Sequence, residues 1–164
     1  MGWKKQKAPF TLAYLKARLY YEPISGRWTR LNRKKSNKAG HTMSSGYLRM
    51  RVGKHRCLAH VLAWFYMTGR WPRRIVDHVD NDNTNLRWDN LRLASWVQNR
   101  VNSKCRRDNK SGFKGVCKNR GRFIAYICVD KKRYNLGMYA TAQLAHAAYI
   151  KAAKKYYGAF ARAA

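Results

Sequence analysis

Four residues in the middle of the chain have the types and spacing needed to hydrolyse a phosphodiester. Asp77 and His78 are adjacent, Asn90 follows, and Asn99 comes after it. That reaction needs an activated water, a stabilised pentavalent phosphorus and a leaving 3′ oxygen kept from returning. One divalent metal and one well-placed imidazole can meet those needs. Asp77 offers a charged oxygen and Asn99 a neutral one, a donor pair suited to magnesium or manganese completed by water and phosphate oxygens. His78, with an ordinary pKa of about 6.5, can act as a general base near neutral pH. The amide oxygen of Asn90 can accept the proton on one imidazole nitrogen and fix the tautomer that leaves the other free.

These side chains need a strand, a loop, a second strand and a helix to converge. Ile75–Val79 and Asn90–Ala94 are apolar-patterned runs that can pair as strands. Ser95 is a suitable N-cap for a helix running to about Val101. The connection Asp80-Asn81-Asp82-Asn83-Thr84 is no calcium loop, because its sixth position is Asn85 rather than Gly and its twelfth is Leu91 rather than Glu. It reads as an Asx-rich turn. Upstream, the spacing predicts a helix over Phe10–Tyr21, a turn at Glu22–Gly26 and a strand at Arg27–Leu31. Strands at Tyr47–Val52 and His55–Leu58 and a helix over Ala59–Gly69 follow. His60, on or near that apolar helix, reads as a buried, hydrogen-bonded histidine ahead of a metal ligand. The basic loop Asn32–Ser45, with Lys34, Lys35, Lys38, Gly40 and Ser44, suits solubility and phosphate contact equally.

Charge narrows the partner. The 164 residues carry 36 Lys and Arg against 7 Asp and Glu, a formal +29, alongside 46% hydrophobic residues. That apolar content supports real cores in one domain or two small ones, and the cationic excess calls for a polyanion, nucleic acid above all. The basic residues do not gather on one amphipathic helix, which disfavours a membrane surface. Cys57, Cys105, Cys117 and Cys128 form no Cys-x-x-Cys pair, so no structural zinc is expected and the thiols read as reduced. The apolar run Leu58–Met67 is too short to span a bilayer. MGWKKQKAPF lacks a signal peptide's apolar core and Gln6 breaks the myristoylation pattern, so a cytoplasmic protein is expected.

The last third changes style. Asn102–Ser111 reads as a basic linker, followed by short strands at Gly112–Val116, Arg122–Val129 and Arg133–Gly137. The middle strand places Phe123, Ala125, Ile127 and Val129 on one face, a floor for an alanine-rich helix Ala142–Tyr157 between the N-cap Thr141 and Gly158. Arg122, Tyr126 and Arg133 then lie on the open face, which has the width of a major groove. Site preference is expected beyond about Asn109, and cutting upstream of it.

Asp77-His78, Asn90 and Asn99, with the His60 region and Asn90-Leu91-Arg92, resemble the HNH endonucleases of the ββα-metal class. The likeness is narrower to the His-Asn-Asn variant of phage and intron-encoded homing endonucleases. It implies Asp77 and Asn99 as metal ligands, His78 as general base and Asn90 as its orienting residue. Tyr21-Glu22-Pro23, Ser25-Gly26 and Ser45–Arg49 resemble the leader region of phage members. Ser111–Val116, Leu136–Tyr139 and Thr141-Ala142 resemble the Apetala-type (ethylene-response-factor) DNA-binding domain, which implies Lys114, Arg120, Arg122, Tyr126 and Arg133 as DNA-facing residues. Cys117, Cys128 and Asn135 stand where plant members carry Arg or Trp, so base preference does not transfer.

The expected architecture is therefore α+β. An HNH nuclease domain covers 1–101, with its ββα-metal motif at about 75–101. A linker at 102–111 and a DNA-binding domain at 112–164 follow, the latter a three-stranded antiparallel sheet on one helix. The expected activity is magnesium- or manganese-dependent nicking or cutting of double-stranded DNA by a monomer or homodimer of phage or mobile-element type. The alternative is a non-catalytic DNA-binding regulator or basic RNA-binding protein on the same fold.

Overall fold

A computed structural model describes residues 8–31, 39–103, 105 and 108–161. Gln6 and the rest of residues 1–7, Lys34, Lys35 and Lys38 of the basic loop, and Lys104, Arg106 and Arg107 of the linker lie outside the described residues. The architecture is α+β, with four α-helices and several small antiparallel sheets among the described residues. The chain divides into two compact units, Met1–Trp96 and Val97–Ala164.

In the first unit, α1 (Leu12–Lys16) is capped by the Thr11 side chain, which accepts from the Tyr14 N–H. It ends earlier than its apolar spacing suggests. Leu19–Glu22 forms strand β1, antiparallel to β2 (Arg27–Arg30), with Leu19 and Tyr21 buried and Tyr20 exposed. Leu12, Leu15 and Leu19 keep helical spacing while Leu19 and Tyr21 keep strand spacing, and the hairpin with β2 wins locally. A second sheet orders β3 (His41–Thr42), β4 (Leu48–Val52) and β5 (His55–Leu58). Helix α2 (Ala59–Thr68) follows and is closed by Gly69 in the left-handed region.

The strand pair carrying the candidate chemistry is β6 (Ile75–His78) with β7 (Leu91–Ala94), in the register Ile75↔Ala94, Asp77↔Arg92 and His78↔Leu91. Asn90 is not in the strand; it ends the 3-10 turn Trp88–Asn90. The unit's core gathers Leu15, Leu19, Tyr21, Trp28, Leu62 and Phe65 with Val76 and Leu91 of the strand pair. Gly26 shows how tightly the hairpin meets the loop ahead of that turn. A Cβ there would stand 2.5 Å from the Leu86 carbonyl carbon, and Gly26 has a φ of +72°. The Tyr21 hydroxyl donates to the Leu86 carbonyl at 2.5 Å and the Trp88 N–H to the Pro23 carbonyl at 2.9 Å. The β1–β2 hairpin thus fixes the loop that returns to β7.

In the second unit, α3 (Trp96–Asn102, mostly in this unit) precedes a sheet ordered β10 (Lys132–Tyr139), β9 (Arg122–Val129), β8 (Val116–Asn119). The first strand of this sheet begins at Val116, where the expected one ended. Side chains hold the preceding stretch in turns: Asn109 Nδ2 donates to the Phe113 carbonyl and Ser111 Oγ to the Val116 carbonyl. Two-residue hairpins at Arg120-Gly121 and Asp130-Lys131, all four residues at positive φ, join the strands. Helix α4 (Ala142–Tyr157) lies on the sheet, with Thr141 accepting from the Leu144 N–H. Ala142, Ala145 and Ala153 are buried against Val116, Phe123, Ala125, Ile127 and Val129 in two adjoining clusters.

Candidate active site

Asp77 and His78 point to opposite sides of β6, as strand alternation requires. Both are closed to solvent, with 6% and 3% of their surface exposed. Asp77 shares its side with its cross-strand partner Arg92, whose Nε donates to Asp77 Oδ2 at 3.0 Å in a largely buried ion pair. His78 takes the side of Val76 and Leu91 and meets α2. Its ring lies 4.9 Å from that of His60, edge-on at 69°, and 6.0 Å from Tyr47.

His60 is buried as expected, at 5% exposure, and lies 5.2 Å from the Tyr47 ring. Its Nδ1 has no hydrogen-bond partner among the described residues, unlike the bonded histidine expected. Burial, assisted by the neighbouring His78, pushes its pKa down to about 3, so it is a neutral ring. Burial also lowers the pKa of His78, opposed by the carboxylates of Asp77, Asp80 and Asp82. His78 therefore favours the unprotonated form that a general base requires.

Asn90 is committed to the loop. Its Oδ1 accepts the Asp80 N–H at 3.1 Å, and its Nδ2 donates to Asp80 Oδ1 and to the Asn85 carbonyl, each at 2.9 Å. The contacts of its amide are thus with residues 80–85 where sequence reasoning expected the imidazole of His78. The loop adds bonds of its own. Asp80 Oδ1 accepts the Asp82 N–H, Asn85 Nδ2 donates to Asp80 Oδ2, and Asp82 Oδ1 accepts both the N–H and the hydroxyl of Thr84. Burial pushes the Asp80 pKa up, but the bonds from Asp82, Asn90 and Asn85 outweigh it and hold it below the ordinary value. The Asx-rich stretch is an ordered turn that anchors the end of β6.

Asn99 lies on α3 in the second unit. Of the expected DNA-facing residues, Arg120, Arg122 and Arg133 are exposed. The Arg133 guanidinium stacks 3.8 Å over the Tyr126 ring, a cation–π contact on the sheet face opposite α4. Lys114 is placed differently. Its Nζ donates to the carbonyls of Arg100, Val101 and Ser103 at 3.0, 2.5 and 2.6 Å, capping the end of α3. Sequence reasoning named Arg92 in the HNH-like motif and Asp80 in the Asx-rich turn but gave neither a role at the site. Once Ile75 is set opposite Ala94, the strand register alone puts Arg92 across from Asp77.

The comparisons fall on this strand pair. Residues 57–101 match the family model for HNH endonucleases. The match contains His60, Asp77, His78, Asn90, Arg92 and Asn99, and ends before the C-terminal sheet. The chain is also similar to Protein 3.8 of Escherichia phage T7, 33% identical over 79 residues that cover 46% of this chain and 65% of that protein. The chain therefore spans just under two thirds of the relative's length. No solved structure matches the chain. No helix among the described residues is long and apolar enough to cross a membrane.

Proposed function

We propose that the chain is a divalent-metal-dependent DNA endonuclease that nicks or cuts duplex DNA by hydrolysing phosphodiester bonds. The observation that carries this reading is the HNH endonuclease match over 57–101, which falls on the strand pair holding Asp77 and His78 at the end of β6. Asp77 is the proposed anionic metal ligand; the role of Asn99 as second ligand rests on the resemblance. The donor chemistry fits magnesium or manganese, because carboxylate and amide oxygens are hard ligands. When bound, such an ion supplies charge stabilisation at the phosphate and the leaving oxygen.

The chain's own groups do the rest. His78, neutral and packed edge-on against His60, takes a proton from the attacking water. Arg92 holds the Asp77 carboxylate, and Asn90 orients His78 indirectly by locking the loop that leaves it. The ββα-metal arrangement, the His-Asn-Asn assignment and an Apetala-type recognition domain at 112–164 belong to this proposal. So do a phage or mobile-element setting and action in the host cytoplasm. Arg122, Arg133 and Tyr126 present a basic, aromatic surface for DNA.

Purified protein with magnesium or manganese should convert supercoiled plasmid to nicked or linear forms. His78→Ala and His78→Gln should abolish conversion while duplex binding persists. Tight binding with plasmid left intact by the wild-type chain would sink the nuclease reading in favour of a non-catalytic DNA-binding regulator.

A further inference from the structure

Between Glu22 and Asp77 the chain has no Asp or Glu. The β3–β4–β5 sheet lies wholly inside that interval. Met50 and Val52 of β4 face the core, so alternation turns Arg49 and Arg51 to the other face. The register brings His41 opposite Arg49 and Arg56 opposite Arg51 on that same face. Arg30 reaches in from β2, its Nη2 donating to the Arg51 carbonyl at 3.0 Å. Together with Gly40 these residues line a cleft of about 320 Å³.

Like charges set directly opposite on a sheet repel, and sequences ordinarily alternate them with acids. Here no acid is interposed. The ion pairs among the described residues, Arg87 with Asp89 and Arg92 with Asp77, involve none of these arginines. Arginine presents a planar fork of donors that matches phosphate oxygens, often two at a time. Four such side chains surround one cleft, Arg30 and Arg51 each with one guanidinium nitrogen on a backbone carbonyl and their other donors left for phosphate oxygens.

We propose that this cleft grips the sugar-phosphate backbone of duplex DNA, as an anchoring surface separate from the strand pair of Asp77 and His78. The inference rests on the nuclease reading for the identity of the polyanion. The bonds it makes are to phosphate, so it contributes affinity and placement without sequence preference.

The test measures duplex binding by fluorescence anisotropy in EDTA, over a range of salt, with no dependence on cleavage. The triple variant Arg49→Gln, Arg51→Gln, Arg56→Gln of the 164-residue chain should bind about tenfold or more weakly near physiological salt. Its log–log salt slope should be shallower by about 0.9 for each phosphate that is no longer neutralised. The triple Lys variant at the same positions should restore the slope, because it keeps the charge. Lys151→Gln, Lys154→Gln, Lys155→Gln on exposed α4 positions removes the same charge elsewhere and should change the slope little. An unchanged slope in the Arg→Gln variant overturns the proposal, as does an equal change in the α4 variant or a loss confined to duplex RNA. Failure of the nuclease reading would instead appear as intact plasmid under magnesium with this binding pattern preserved.

Discussion

Asn90 and Asp80 bind each other reciprocally: the Asn90 amide oxygen accepts the Asp80 N–H at 3.1 Å, and the amide nitrogen returns a bond to Asp80 Oδ1 at 2.9 Å. The pair closes a ring across the mouth of the loop between β6 and β7, immediately after His78. Asn90→Ala removes these bonds and the one to the Asn85 carbonyl, and leaves their partners on the exposed Asp80 and the half-buried Asn85 to water. We expect a loss of about 1–3 kcal/mol by denaturant unfolding, since an intramolecular hydrogen bond contributes a net of about 0.5–1.5 kcal/mol when water can reach the partner left behind. Cleavage should fall with it. Asn90→Asp should be no milder, because it sets a second carboxylate against Asp80. A variant as stable as the wild type would mean that the loop is held by other means.

The edge-on packing of His60 against His78 makes a separate prediction about acid. His60 is buried and neutral with its pKa pushed down to about 3, whereas in the unfolded chain it titrates near the ordinary 6.5. Between those values the unfolded state binds the extra proton, so stability falls as pH falls. It is fully present above about pH 6.5 and declines below it by up to about 1.4 kcal/mol per pH unit. His60→Phe keeps an aromatic ring beside Tyr47 and His78 and removes this proton. Denaturant unfolding between pH 4 and 7 should show the wild-type slope reduced in the variant; parallel curves would show that His60 is not the responsible group.

Some of these relationships were legible in the sequence. Apolar patterning at Ile75–Val79 and Asn90–Ala94 locates β6 and β7, and their register then pairs Asp77 with Arg92. Thr141, the alanines and Gly158 delimit α4 to the residue. Others depend on side chains capturing backbone, which pattern does not reveal. Ser111 and Asn109 delay β8 to Val116, and Gly115 sits where a Cβ would meet the Tyr149 ring at 2.1 Å. The partners of Asn90 follow from the path of the 80–85 loop, including Asn81 at a φ of +61°, and no spacing rule encodes that path. Helical and strand periods overlap at Leu19, so β1 was legible only beside its partner β2.

The buried Asp77–Arg92 pair predicts a metal-sensitive stability. Removing one partner of a buried ion pair costs about 3–5 kcal/mol, because the other charge is left uncompensated. Arg92→Met should therefore be strongly destabilised in EDTA. If Asp77 is a metal ligand, manganese or magnesium should raise the melting temperature of Arg92→Met more than that of the wild type, since the cation replaces the missing guanidinium. Adding Asp77→Asn to the variant should abolish the metal response. An equal shift in all three proteins would remove Asp77 from the ligand set.

Lys114 and Arg133 should fail in different ways. Lys114 Nζ is held by three carbonyls at the C-terminal end of α3, the helix that carries Asn99, whereas Arg133 is exposed and stacked on Tyr126. A cation at a helix C-terminus satisfies carbonyls that have no partner within the helix and offsets its dipole. Lys114→Met should fray α3 and lower turnover at saturating DNA, with little change in the salt slope of binding. Arg133→Ala should weaken binding and flatten the slope by about 0.9 if it meets one phosphate, leaving saturated turnover near wild type. Deleting everything after Ser103 removes both groups, so it should cost turnover as well as site preference, and the division of labour at about Asn109 would then be incomplete. Single-turnover cleavage and anisotropy on one duplex separate the cases. If Lys114→Met lost affinity and kept its rate, Lys114 would be a DNA-binding residue and the cap on α3 dispensable.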